Sequence, residues 1–326
     1  MIELLSNESW LRPQIDFLLF LQNLRISHFS MFDNLFLSVT IVGEFWLPVL
    51  ICSIVYWCID FKSGMYLFAL SSFNMFFAQL FKMMACVYRP WVLSDKIHPV
   101  EKAIALAAGY SFPSGHSAQA SALLGGLAMI YKKKFIIPIL LVLFALLVGF
   151  SRMWLGVHTP QDVIVGLFIG FSLVFVLNSV INKAEKDTNI YLYLLGITDF
   201  AIAAILIYIC YFNSYPLDYV NGELLVNPLR SIQASVFCYS FIAGILNGVF
   251  LCRRFFPFNP KEFSLKSKLA ISFIGTLCIL STFPTITKNL FCQACDFKIV
   301  FILAFIIGFF VTGIYPLIFS KFVKLK

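Results

Sequence analysis

Three separated stretches of this chain hold the side chains that phosphoryl chemistry asks for: Lys82 with Arg89-Pro90, then Pro113-Ser114-Gly115-His116, then Ser151-Arg152 with His158 and Asp162. Two histidines, one carboxylate, three cations and a glycine-containing turn suffice to neutralise a phosphoryl group and pass it through an imidazole. The spacing of the last stretch is the most telling. Asp162 lies four residues after His158, within reach to accept a hydrogen bond from one ring nitrogen and leave the other as a nucleophilic lone pair. The same residues also read as an ordinary helix opening, with Thr159 as N-cap, Pro160 at the first helical position and Asp162 as a capping-box carboxylate. Both readings can hold at once.

Pro113-Ser114-Gly115-His116 opens an apolar helix, so the first free N–H groups of that helix would face an incoming anion. Gly115 lets a backbone come close, the Ser114 hydroxyl can donate to a phosphate oxygen, and His116 falls in the first turn. A serine N-cap beside an incidental histidine explains the tetrapeptide equally well. Taken alone, Lys82 and Arg89 are snorkelling cations at a helix end. Taken with the helix opening, they form a clamp for a charge-rich phosphoryl group.

The elements that position these residues are membrane helices. Apolar residues make up 60% of the 326-residue chain and charged residues 12%, with a mean hydropathy of +0.90, whereas soluble domains carry about 25% charge. A hydrocarbon core of ~30 Å needs about 20 helical residues to cross. Nine spans are expected, near residues 33–57, 64–81, 114–131, 135–153, 161–181, 190–211, 231–252, 268–283 and 299–320. The fold class is all-α, a polytopic membrane helix bundle of about nine transmembrane helices. No cleavable signal is expected, because the apolar run Phe17 to Leu21 is short and lacks a small-residue cleavage site. Trp10 to Leu24 reads as an interfacial helix. The chain divides into an N-terminal interfacial segment (1–30), a catalytic helical core (31–182) and C-terminal transmembrane helices (183–326). Small residues on two lines of the third span, Ser117-Ser121-Gly125 and Ala118-Ala122-Gly126, predict a helix clasped at the centre of the bundle. In the long connection Pro90 to Phe112, the apolar part Ala103 to Ala108 is expected to dip into the interface and form part of a substrate entrance.

Nine spans make two alternating sets of connections, and cytoplasmic ones retain Lys and Arg. One set holds 14 of the 24 basic residues; the other holds ten, of which Lys82, Arg89 and Arg152 belong to the stretches above. The first set is therefore expected to be cytoplasmic, with the amino terminus outside, the carboxyl terminus inside, and all three stretches on the outer face.

In order and internal spacing, Lys82-x6-Arg89-Pro90, Pro113-Ser114-Gly115-His116 and Ser151-Arg152-x5-His158-x3-Asp162 resemble the three signatures of the type-2 phosphatidic acid phosphatase superfamily, with every position filled. The superfamily includes lipid phosphate, undecaprenyl-pyrophosphate and sphingosine-phosphate phosphatases, glucose-6-phosphatase and soluble haloperoxidases, the last excluded here by hydropathy. A nine-span layout with an outside amino terminus is similar to the glucose-6-phosphatase and sphingosine-phosphate phosphatase members. The resemblance implies that His158 attacks phosphorus to give a phosphohistidine while Asp162 orients it. His116 would protonate the leaving oxygen, and Lys82, Arg89, Ser114, Gly115 and Arg152 would hold the phosphoryl oxygens. It implies no metal and no cofactor, the cations and N–H groups supplying the electrostatic stabilisation.

Other residues carry less. Glu44 and Asp199 fall within expected spans, where an acid is costly, and both read as structural pairings between helices. His28 and His98 read as interfacial or solvated. Cys292 and Cys295 share an expected outer loop, where a disulfide or chance spacing ranks ahead of a metal. The +8 formal charge suits anionic lipid better than nucleic acid. The expected partners are thus a lipid phosphate substrate and membrane lipids, with no nucleic acid. The expected activity is hydrolysis of a lipid phosphate or isoprenyl diphosphate at the outer face, in a bacterial plasma membrane or, alternatively, the endoplasmic reticulum. A sugar-phosphate phosphatase, a transferase to an acceptor other than water, and a phosphate-binding transporter without turnover are the alternatives. Histidine at both 116 and 158 argues against the last.

Overall fold

In lipid every backbone N–H and C=O must find its partner within the chain, and a sequence this apolar meets that demand by folding almost entirely into helices. The computed structural model describes residues 9–105, 107, 109–184, 188–220, 222–256, 259–290 and 296–323. The helices are α1 (Arg12–Leu24), α2 (Asp33–Val39), α3 (Trp46–Ile54), α4 (Phe61–Ala85), the single turns α5 (Pro90–Leu93) and α6 (Glu101–Ile104), and then α7 (Gly115–Ile130), α8 (Ile136–Trp154), α9 (Pro160–Ala184), α10 (Thr188–Ile207), α11 (Pro228–Phe255), α12 (Leu265–Leu290), α13 (Phe297–Phe309) and α14 (Tyr315–Val323). A two-residue antiparallel pair, β1 (Tyr219–Val220) and β2 (Glu223–Leu224), sits between α10 and α11, with Tyr219 opposite Leu224.

The chain is an integral membrane protein. Among the described residues, seven helical stretches are long and apolar enough to cross a bilayer: Arg12–Gly43, Phe61–Leu93, Ile136–Trp154, Pro160–Ala184, Asn189–Phe212, Pro228–Phe255 and Phe297–Lys321. Nine were expected from the sequence. The third expected span is α7, which has 16 residues, and the eighth is α12. The first expected span is broken. A 3₁₀ turn, Thr40–Gly43, runs into an extended Glu44 before α3 begins, and Trp46–Ile59 is a shorter apolar helix. Pro48 has no N–H to offer the Glu44 carbonyl, and Gly43 is a weak helix former, so a continuous helix through this point is disfavoured. Of the expected interfacial helix Trp10 to Leu24, residues Arg12 to Leu24 are helical, but the helix continues through a π turn and a 3₁₀ turn into α2 and the whole stretch Arg12–Gly43 is long and apolar enough to cross a bilayer.

By contacts the chain forms two compact units. The first comprises Met1–Glu44, Phe77–Ser172 and Ser214–Ser231, and holds all of the chemistry-bearing residues. Its centre is α7, where every residue from Ser117 to Gly126 is buried. The small-residue lines of α7 meet two glycines four residues apart on α9. A Cβ at Gly166 would lie 2.6 Å from the Ser114 carbonyl oxygen, and one at Gly170 would strike Ser121 Oγ and lie 2.5 Å from the Ala118 oxygen. Helix α1 covers the long connection: Leu11, Ile15 and Leu18 pack with Tyr88, Leu93, Ile97 and Tyr110, and Leu21 with Ala103, Ala107, Leu155 and Val157. Of the segment Ala103 to Ala108, Ala103 and Ala107 are buried beneath α1 whereas Ile104 and Ala105 are exposed; Leu106 and Ala108 lie outside the described residues. Polar side chains fasten the same helix. Gln22 spans Lys96 O and His98 N, Arg25 donates to His98 O, and Gln14 exchanges hydrogen bonds with Gln161.

The second unit comprises Phe45–Phe76, Leu173–Asn213 and Ile232–Lys326. Its helices are tied by side chains that donate to carbonyls of neighbouring elements: Tyr66 to Val174, Tyr239 to Phe76, Trp57 to Val311 and Tyr56 to Thr312. Asp199 accepts from Asn247 at 3.0 Å, a pairing between α10 and α11.

The tightness of the α7–α9 contact is testable. Gly170→Val should destabilise the protein by about 1–3 kcal/mol through overpacking, and Gly170→Ala by less. Gly196→Ala adds a Cβ with no described atom within 4 Å and should be near neutral. Unfolding midpoints in detergent give the comparison; equal midpoints for all three would refute the close packing.

Candidate active site

Two helix caps set the position of His158. Helix α8 ends in a Schellman motif, in which Gly156 at φ +74° donates to Met153 O and Val157 donates to Arg152 O. Three residues later α9 opens with a reciprocal cap: Thr159 N donates to Asp162 Oδ2 at 2.8 Å, and Asp162 N donates to Thr159 Oγ1 at 3.3 Å. The segment Leu155 to Thr159 is fixed at both ends by its own backbone, and His158 projects from it. Thr159 is the expected N-cap, and Asp162 performs both roles read from the sequence.

The His158 ring is buried, 2% exposed. Its Nδ1 lies 3.3 Å from Asp162 Oδ2 and 3.3 Å from Ser111 Oγ, while its Nε2 lies 2.8 Å from an Arg89 guanidinium nitrogen. Ser111 donates to Asp162 Oδ2 at 2.6 Å, so that oxygen is held by a hydroxyl and a backbone N–H. The same Arg89 nitrogen lies 3.5 Å from Nδ1, so the guanidinium sits beside both ring nitrogens while Nδ1 is within reach of Asp162. Burial, reinforced by the positive charges of Arg89, Arg152 and Lys82 and by His116, holds the His158 imidazole well below its ordinary value. Each of these effects disfavours the protonated ring.

Around it the cations are anchored without being consumed. Arg89, the N-cap of α5, donates from Nε to Gly109 O at 3.1 Å and from Nη1 to Val157 O at 3.1 Å. Lys82 Nζ donates to Tyr110 O at 2.7 Å. Arg152 is completely buried and gives one Nη1 hydrogen bond to Thr40 Oγ1 at 2.9 Å. Its Nε and Nη2 find no hydrogen-bond partner among the described residues. A buried guanidinium with two idle donors is a strong demand for an anion with several acceptor oxygens.

The second expected stretch also converges here. Ser114 is the N-cap of α7, its N–H donating to Asp162 O at 2.9 Å and its Oγ accepting from Ser117 Oγ at 2.8 Å. A Cβ at Gly115 would meet no described atom within 4 Å, so the helix opening is uncovered at that point. His116 Nε2 lies 3.0 Å from Glu44 Oε1. The charges of Arg152 and Arg89 both act on His116, and His116 in turn acts on His158.

Sequence reasoning missed four contributors. Glu44, expected to make a structural pairing between helices, pairs with His116 at the start of α7. Thr40 and Ser111 stand 112 and 51 residues from the side chains they bind, Arg152 and Asp162, and no local spacing could reveal them. Gly156 did carry a signal, a glycine just past the end of an apolar helix. His28 and His98 are exposed, and Cys292 and Cys295 lie outside the described residues.

Residues 63–186 match the sequence model of the PAP2 superfamily. Over 108 residues the chain is 31% identical to phosphatidylglycerophosphatase B of Bacillus subtilis, covering 31% of this chain and 52% of that protein. Over 88 residues it is 43% identical to the undecaprenyl-diphosphatase BcrC of Bacillus subtilis, covering 26% and 42%. The chain thus spans about half the length of these curated relatives. Among solved structures it is similar to a transmembrane PAP2 type phosphatidylglycerolphosphate phosphatase from Bacillus subtilis, with a TM-score of 0.44 and 21% identity over 56% of this chain and 92% of that one.

Two measurements test the His158 loop. Gly156→Ala forces a side chain into the left-handed region and places its Cβ 3.1 Å from Pro99 Cα; it should lower stability by about 1–2 kcal/mol. Because the folded-state value of His158 is depressed, the stability it contributes is intact above pH ~6.5 and is lost as pH falls from there toward the lower folded value. Wild-type protein should therefore lose more of its unfolding midpoint than His158→Gln on acidification below that pH. Parallel losses would refute the buried neutral imidazole.

Proposed function

We propose that the protein, whose residues 63–186 match the sequence model of the PAP2 superfamily, is a membrane phosphatase that hydrolyses a lipid phosphate or isoprenyl diphosphate on the non-cytoplasmic face. The observation that carries the reading is the buried His158, with Asp162 and Ser111 on one ring nitrogen and Arg89 on the other, beside the idle donors of Arg152. A protein that only bound phosphate would need the cations but not an oriented, neutral imidazole. The named activities of the Bacillus relatives, on phosphatidylglycerophosphate and undecaprenyl diphosphate, support a lipid substrate. The basic-residue bias of the connections supports the outward face, and a bacterial plasma membrane is the matching location.

As the phosphoryl group enters, its oxygens take the donors of Arg152, Lys82, Ser114 and the Gly115 helix opening. The Arg89 N–H now on His158 Nε2 turns to a phosphoryl oxygen, exchanging a neutral acceptor for a charged one. Nε2 then forms a bond to phosphorus while the bond to the leaving oxygen breaks, and that oxygen takes a proton from His116. In the second half, water attacks the phosphohistidine and gives a proton to His116. The P–N bond breaks, its electron pair returns to Nε2, and inorganic phosphate departs. Asp162 balances the positive charge that His158 carries in between. No step calls for a metal.

Phosphate release by the purified full chain in detergent, without added metal, tests this on phosphatidylglycerophosphate, an isoprenyl diphosphate, phosphatidate, sphingosine phosphate and glucose 6-phosphate. At least one lipid substrate should exceed the sugar phosphate, and His158→Ala should reduce turnover roughly a thousandfold or more. A folded His158→Ala protein with turnover intact would remove the mechanism, and preference for the sugar phosphate would remove the lipid assignment.

A further inference from the structure

The turn Thr40–Glu44 lies outside the residues that match the family model, yet Thr40, Gly43 and Glu44 each touch a residue of the site. Glu44 Oε1 is 3.0 Å from His116 Nε2, with the two side chains 23% and 13% exposed. Gly43 is pressed on the backbone of His116 so closely that a Cβ there would fall 2.6 Å from His116 Cα and 2.7 Å from its carbonyl oxygen. Thr40, fully buried, accepts from Arg152. A carboxylate at a break in a membrane-level helix is costly unless its partner needs it. We propose that Thr40-x-x-Gly43-Glu44 is a fourth element of the site, and that Glu44 is a positioning residue that holds His116 by Nε2 and turns Nδ1 toward the leaving oxygen.

This rests on the reading of His116 as the proton donor. With Nε2–H given to Glu44, the imidazolium releases its Nδ1 proton to the leaving oxygen as the P–O bond breaks. The neutral ring that remains keeps its Nε2 proton on Glu44 and can take the proton of the attacking water at Nδ1. The charged groups acting on His116 are Glu44 from this turn, Arg152 from the end of α8 and Arg89 from the N-cap of α5, with His158 coupled to it from the α8–α9 loop. Burial and the two guanidinium groups oppose the protonated ring, and Glu44 is the anion in that set that acts against them.

The test uses the purified full chain in detergent and two probes: phosphatidate, whose alkoxide leaving group needs a proton, and p-nitrophenyl phosphate, whose leaving group does not. His116→Ala is the reference. Glu44→Gln should lower kcat on phosphatidate about tenfold to a hundredfold, less than loss of the acid itself, with KM little changed and a much smaller loss on p-nitrophenyl phosphate. The alkaline limb of its kcat profile should move to lower pH, since the protonated ring has lost its counter-charge. Glu44→Asp, which keeps the charge at a shorter reach, should recover part of the activity and carries the same comparison if Glu44→Gln does not fold. If His116→Ala depends on the leaving group but the Glu44 variants lose equally on both probes, or lose nothing, Glu44 has no positioning role. If His116→Ala itself shows no such dependence, the proton-donor reading falls and takes this inference with it.

Discussion

Everything in the first unit answers one electrostatic constraint: two buried guanidinium groups, Arg89 and Arg152, with Lys82 nearby, must be kept together although they repel. The protein does so mainly with neutral oxygens. Gly109, Val157 and Tyr110 lend carbonyls, and Thr40 lends a hydroxyl. The carboxylates of Asp162 and Glu44 are directed at imidazoles, with Asp162 also bound by Ser111 and Thr159. Positive charge is thus held in place but only partly compensated, and a multiply charged anion is what completes it. The idle donors of Arg152 are the clearest trace of that incompleteness.

The packing of α7 serves the same end. Its first turn offers N–H groups, Ser114 and His116, and these are useful only if the helix cannot shift. Glycines 166 and 170 of α9 bring that helix against α7 at backbone distance. Because Asp162 lies one turn before Gly166 on α9, the contact that clasps α7 also fixes the carboxylate that orients His158. Positioning and packing are one structural event here.

What the sequence revealed and what it hid follow the range of the interactions. The His158–Asp162 pairing and the Thr159 cap are local, four and three residues apart, and both were legible as spacing. The small residues of α7 announced a buried helix, which α7 is. Six of the seven apolar stretches were visible as hydropathy, whereas Arg12–Gly43 and the break at Glu44 were obscured because Trp10 to Leu24 read as an interfacial helix and residues 33–57 as one continuous apolar run. That break hid Glu44 and Thr40 as site residues, since their partners lie 72 and 112 positions away. Ser111 was hidden in the same way, inside a connection read for its alanines and not for its hydroxyl.

The loop from Leu155 to Thr159 draws its shape from hydrogen bonds made within a dozen residues of chain. Longer-range hydrogen bonds complete it, Val100 donating to Leu155 O and Arg89 to Val157 O. Substitutions in helices that touch none of these groups would leave the setting of His158 intact. A scaffold of this kind separates inheritance of the reaction from invention of new clients: one module stays constant, and specificity is free to wander around it.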